Sequence, residues 1–88
     1  MLPYGNNIIL TMKLDSKKIG QLVRATRKGL GVTQKELALS SGTGLRFIIE
    51  LEQGKPTCQL EKSLNVVRTL GIKMEFIPPN AVKDRIND

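Results

Sequence analysis

Few side chains in this sequence are equipped to break a covalent bond. None of its 88 residues is a histidine, which removes Ser-His-Asp and Cys-His pairs and any imidazole-based metal site. Cys58 is the single cysteine, so it forms neither an internal disulfide nor a zinc cluster. Its ordinary role is that of a small apolar filler, and with no leader-like segment ahead of it the expected compartment is reducing and cytoplasmic. Glu50 and Glu52 stand closest to a carboxylate pair, but they fall on different faces of a helix and make no acid–base dyad. No enzyme, cofactor or metal is expected. What remains is charge: 14 Lys and Arg against 8 Asp and Glu give +6, a balance that suits nucleic acid or another anionic partner. Lys13, Lys17, Lys18, Arg24, Arg27 and Lys28 are opposed in their stretch only by Asp15. Any one of these lysines is an ordinary solvated charge, while their sum favours duplex phosphate. Tyr4, Phe47 and Phe76 are the only aromatic residues, too few for the base-stacking platforms of single-strand or RNA binders.

These side chains must be positioned by short elements, since a chain of this size holds one domain with a marginal core that a second subunit would help to stabilise. No run reaches the roughly 18 apolar residues of a membrane span. Residues 8–14 alternate Ile8, Leu10, Met12 and Leu14 with polar neighbours, the pattern of a short strand. Met12 is also a possible start, which would make that strand an accident of composition. Asp15 or Ser16 caps a first helix with Ile19, Leu22, Val23, Thr26 and Leu30 in its apolar stripe, stopped at Gly31. Thr33 and Glu36 form a capping box for a second helix carrying Leu37 and Ala38. After the turn at residues 42–44, a third helix runs over residues 45–53 and is closed by Gly54 and Pro56. Thr57 caps a fourth, with Leu60, Leu64, Val67 and Leu70 on one face. The period then changes: Ile72, Met74 and Phe76 alternate with Lys73 and Glu75, a strand with no obvious mate, which must find either residues 8–14 or the same strand of another copy. The expected division is an extension over 1–15, a helical domain over 16–71, a pairing strand over 72–79 and a mobile tail over 80–88.

Two short helices joined by a tight glycine-bearing turn make a helix-turn-helix. Ala38 is small because the second helix of the pair crosses close to it, Gly42 supplies the backbone conformation a side chain resists, and Leu37, Ile48 and Leu51 point into the shared core. That leaves Leu45, Arg46, Ile49 and Glu50 on the outward face. The run VTQKELALSSGTGLRFIIELEQGKP, residues 32–56, resembles the core of the Xre or phage-repressor helix-turn-helix family through Thr33-Gln34, Leu37-Ala38, Gly42, Ile48, Glu52 and Gly54. Four helices followed by one terminal strand, with the run Gly54-Lys55-Pro56-Thr57, resemble its HipB-type antitoxin branch. Thr43, Gly44 and Phe47 depart from the family pattern, and Phe47 either braces the third helix or meets a thymine methyl.

The resemblance implies a mostly α, compact four-helix repressor-like domain whose C-terminal strand pairs across a homodimer through Ile72, Met74 and Phe76. It implies phosphate contacts from Gln34, Gln53 and Lys55, base-edge contacts from Leu45, Arg46, Ile49 and Glu50, and a structural ion pair between Arg27 and Glu52. An arginine can fork onto guanine, whereas a carboxylate repels phosphate and can only accept from a cytosine amino group, so Glu50 fits less well. The function implied is sequence-specific repression at a palindromic duplex operator, with a HipA-like kinase toxin as a second partner. A protein-interaction module without DNA binding is the rival, favoured by Glu50 and Leu45.

Overall fold

The computed structural model describes residues 15–56 and 59–80. The expected strand over residues 8–14, Lys13, Met12, Thr57, Cys58 and the tail beyond residue 80 lie outside the described residues. Four helices follow one another: α1 (Ser16–Gly29), α2 (Gln34–Ser41), α3 (Leu45–Glu52) and α4 (Leu60–Thr69). α3 packs against both α1 and α2, and α4 closes the core on α2.

Local chemistry explains each boundary. The Asp15 carboxylate accepts the Lys18 amide at 2.9 Å, so Asp15 rather than Ser16 caps α1. At the start of α2, Thr33 Oγ1 accepts from the Glu36 amide at 3.0 Å while the Glu36 carboxylate accepts from the Thr33 amide at 2.8 Å, satisfying two donors that the first turn leaves orphaned. Gly42 ends α2 with a φ of 71°, a conformation that costs an L side chain and lets the chain reverse directly into α3. Beside it, buried Ser41 donates its hydroxyl to the Leu37 carbonyl at 2.7 Å and meets Thr43 Oγ1 at 2.9 Å, which fastens the turn from inside.

Val23, Leu37, Ala38, Ile48, Leu51, Val66, Val67 and Leu70 form the core, with Ile19, Val32, Phe47 and Ile72 packed around it. Two expected stripes are corrected. On α1, Leu22 is 50% and Leu30 59% exposed; the inward positions belong to Gly20, Val23 and Arg27. The cause is Gly20, whose missing side chain lets the α1 backbone rest on the end of α3, and this fixes the helix's rotation. On α4, Leu60 is 69% exposed and the fully buried residue is Val66. α4 starts from Gln59, whose carbonyl takes both the amide and the hydroxyl of Ser63, at 3.1 and 3.2 Å. Leu60 therefore sits in the first turn, outside the packed face.

The C-terminal segment, expected to pair as a strand across a dimer, has no partner among the described residues. No strand is present among the described residues, and residues 72–77 run on without regular pairing. Ile72 donates its amide to the Val67 carbonyl at 3.0 Å and packs on the core, which closes the end of α4. Beyond it Met74, Phe76 and Ile77 are exposed, Phe76 to 80%. A strand needs a second strand for its backbone donors and acceptors, and the described part of a single chain offers none.

Candidate nucleic-acid interface

The outward side of α3 follows from what its inward side buries. Ile48 and Leu51 are in the core, and at 100° per residue their burial turns Leu45, Arg46, Ile49 and Glu50 away from it. Leu45 and Arg46 are exposed, and Ile49 and Glu50 are half-buried. α3 begins from Gly44, which gives no side-chain cap. Phe47 packs against the core, and Lys62 of α4 places its ammonium 5.8 Å from the ring centroid. Phe47 is thus turned toward the core rather than toward the surface.

Two polar constellations stand on this side of the molecule. The first is built on Arg27, which is 8% exposed although charged. Its Nε donates to Glu52 Oε2 at 2.6 Å, its Nη2 to Glu52 Oε1 at 3.0 Å, and its Nη1 to the Val32 carbonyl at 2.9 Å. This fork joins α1 to the end of α3 and to the loop before α2. The hydrogen bond to the Glu52 carboxylate outweighs burial and raises the Arg27 pKa, so the guanidinium stays charged. Gln34 Nε2 adds a third donor to the carboxylate, at 3.1 Å from Oε1. Gln34 therefore spends one side-chain N–H on Glu52, a bond the sequence reading did not anticipate. Together with Arg24, Ile49 and Gln53 these groups line a depression of about 480 Å³, which brings Gln34 and Gln53, the two glutamines expected at phosphate, into one place beside Arg24 of the basic first helix.

The second constellation is centred on Glu50. Its Oε2 accepts from Arg46 Nε at 3.3 Å and from Lys55 Nζ at 3.3 Å. Hydrogen bonds from Lys55 first and Arg46 second hold the Glu50 carboxyl below its ordinary range. The expected base reader and the expected phosphate holder are joined through a carboxylate in the free protein. The four-residue spacing of Arg46 and Glu50 was the available sequence signal; the Lys55 arm depends on how the chain turns at Gly54 and had none.

Glu36 is likewise shifted down, by the backbone amide and then the hydroxyl of Thr33. For a carboxyl whose folded pKa lies below its ordinary 4.5, the stabilisation is present above that ordinary value and is lost as pH falls through the lowered one. Urea unfolding followed between neutral pH and about pH 3 is expected to show stability falling across that acid window, and Glu36→Gln should flatten the fall. An identical pH profile for the variant would contradict the capping assignment.

No helix among the described residues is long and apolar enough to cross a membrane, and no group of three metal-ligating side chains occurs among them. A compact helical domain with a glycine-turned helix pair, an outward arginine on the second helix and basic or amide side chains beside it defines a helix-turn-helix DNA-binding domain. Over 61 residues the chain is 51% identical to the uncharacterized HTH-type transcriptional regulator y4mF of Sinorhizobium fredii, covering 69% of this chain and 80% of that protein. The crystal structure of the clp gene regulator ClgR from C. glutamicum superposes with a TM-score of 0.60 at 31% identity, covering 70% of this chain and 80% of that one. No family model matches the sequence. The chain belongs to the HTH-type transcriptional regulators.

Proposed function

We propose that this regulator is a homodimeric, sequence-specific repressor that places its two α3 helices in successive major grooves of a palindromic operator, and that it is the antitoxin of a HipBA-like operon, restraining a HipA-like kinase toxin in the cytoplasm. The observation that carries the DNA-binding part is the placement of 91%-exposed Arg46 on α3 with Lys55 beside it and the Gln34–Gln53 depression at the flank. Arg46 has the reach and donors to fork onto a guanine, Leu45 and Ile49 offer apolar contact to base edges, and Gln34, Gln53 and Lys55 sit where the duplex backbone would pass. The antitoxin part is supported by the sequence resemblance and by an exposed apolar segment after four helices.

Arg46→Ala is expected to weaken binding to the operator by about 1–3 kcal/mol and to relax preference at one base pair per half-site. Lys55→Ala should instead weaken all duplexes alike and lower the salt slope by about one. Anisotropy titrations on an operator and a scrambled duplex separate the two. An unchanged operator-to-scrambled ratio in Arg46→Ala would remove it from base readout. A wild-type chain that shifts no duplex would favour the protein-interaction module.

The dimer part is supported by the exposure of Phe76 and Ile77, 80% and 75%, in a segment whose backbone lacks a ladder. Two such segments related by a two-fold axis can pair antiparallel and cover each other's apolar side chains. The double substitution Met74→Ser with Phe76→Ser leaves Ile72 on the core. It should sediment as a monomer and lose the affinity that two linked half-sites gain from effective concentration. A variant that still sediments as a dimer would move the interface to the helices.

A further inference from the structure

The carboxylate of Glu50 is out of place on a surface that must approach phosphate, and a base contact alone accounts for it less well than for its neighbours. The geometry supplies a further role. Arg46 Nε and Lys55 Nζ both donate to the same Glu50 oxygen, Oε2, in the manner in which two cations share a phosphate oxygen. The two donors come from different places, one from the first turn of α3 and the other from beyond Gly54, so the clasp spans the helix from its start to just past its end. Glu50 is half-buried, whereas the Arg46 side chain is 91% and the Lys55 side chain 61% exposed. The carboxylate is therefore the fixed member, and the two long side chains fold back onto it.

Resting on the DNA-binding reading, we propose that Glu50 is a specificity-determining residue that acts as an internal counter-anion, holding Arg46 and Lys55 in the free protein so that only a duplex with the right base pattern repays their release. Binding any duplex draws Lys55 to phosphate and Arg46 to the groove, and leaves Glu50 facing the DNA. At a wrong site the carboxylate meets acceptors such as guanine O6 and N7 or thymine O4, and the lost contacts are not recovered. At the right site Arg46 exchanges one carboxylate oxygen for the two acceptors of a guanine, and Glu50 accepts from a cytosine amino group. The residue thus lowers affinity everywhere and is compensated at one sequence, which is how a repulsive element creates discrimination.

The test compares wild type with Glu50→Gln, a swap that keeps size and one acceptor while removing the charge. The probes are a short mixed-sequence duplex and a duplex enriched from a random pool by the wild-type protein, each titrated over a salt series with the full chain, and circular dichroism checks the fold. Glu50→Gln is expected to bind the mixed-sequence duplex about three- to tenfold more tightly, with a salt slope steeper by roughly one, and to gain less on the enriched duplex, so that the ratio of the two affinities falls. In an Arg46→Ala, Lys55→Ala background the same change should gain less than about twofold, because no clasp is left to release. Unchanged affinity for the mixed-sequence duplex, or an equal gain on both duplexes, overturns the proposal while leaving DNA binding intact. A full gain in the double-substituted background also overturns it, since plain repulsion of phosphate would then account for the effect. A wild-type chain that binds neither duplex and enriches none overturns the DNA-binding reading, and this inference with it.

Discussion

Glu52→Gln is expected to cost the fold about 3 kcal/mol, well beyond the 0–1 kcal/mol of an exposed pair. The Glu52 and Arg27 side chains are only 4% and 10% exposed, so neither can fall back on water when the other is lost. Glutamine would keep one acceptor for the guanidinium but would leave its charge uncompensated in a site that burial already disfavours. Because the Arg27 pKa is raised and the group cannot shed its proton, the penalty is not escaped by titration. Replacing both partners, Arg27→Met with Glu52→Leu, should recover much of the loss, since an apolar pair in the same space leaves no orphaned charge. Urea midpoints at constant m for the two single variants and the double give the coupling directly. A coupling near zero would reduce the pair to two independently solvated charges. A consequence beyond stability follows from Gln34, whose amide also rests on Glu52 Oε1. The glutamine at the start of α2 is held by the same carboxylate that fixes α3, so the variant should also weaken duplex binding in the fraction that remains folded.

The helix-turn-helix was legible because its demands are local and stereochemical. Thr33 three residues before Glu36, Gly42 where the chain reverses, and Leu37, Ile48 and Leu51 at core spacing each state a backbone or packing requirement in the residue itself. The corrections arose where the residue type does not name its deciding partner, whether that partner is distant in sequence or one helical turn away. Leu22 and Val23 are equally apolar, and only the contact of Gly20 with the far end of α3 shows which of them turns inward. Leu60 has the right spacing to join Leu64 and Val67, but the point at which α4 begins is set by Ser63 closing on the Gln59 carbonyl. The alternation over residues 72–77 marks apolar side chains on one side of an extended segment, and an extended segment becomes a strand only when something pairs with it. At the interface the gap is of another kind. Arg46, Glu50 and Lys55 were each visible as candidates and helical spacing joins the first two, yet the arrival of Lys55 at the same carboxylate oxygen is a property of the turn at Gly54.

Gly20→Ala should be among the most damaging small substitutions in the chain, although alanine is the better helix former by about 1 kcal/mol. A Cβ on Gly20 would fall on the Leu51 carbonyl oxygen, and would lie 2.9 Å from that of Glu52 and 3.0 Å from the Gly54 amide nitrogen. All three are backbone atoms at the end of α3, with no rotamer through which to retreat. Gly54 meets α1 in the same way from the other side: its own Cβ would come within 2.7 Å of the Lys17 Cα. The two helices therefore touch backbone to backbone, and one methyl group forces them apart. Overpacking of this kind typically costs about 1–3 kcal/mol, occasionally more, and here the separation also stretches the Arg27–Glu52 fork, so the upper part of that range is expected. Gly29→Ala supplies the control on the same helix, for nothing lies within 4 Å of its added Cβ, and it should be neutral or stabilising by up to about 1 kcal/mol. Opposite shifts of the urea midpoint for the same chemical change, nine residues apart on one helix, would place the cause in the α1–α3 contact. If Gly20→Ala proved as stable as Gly29→Ala, α1 would have to sit farther from α3 than this structure places it, and the seating of α3 against α1 would need to be redrawn.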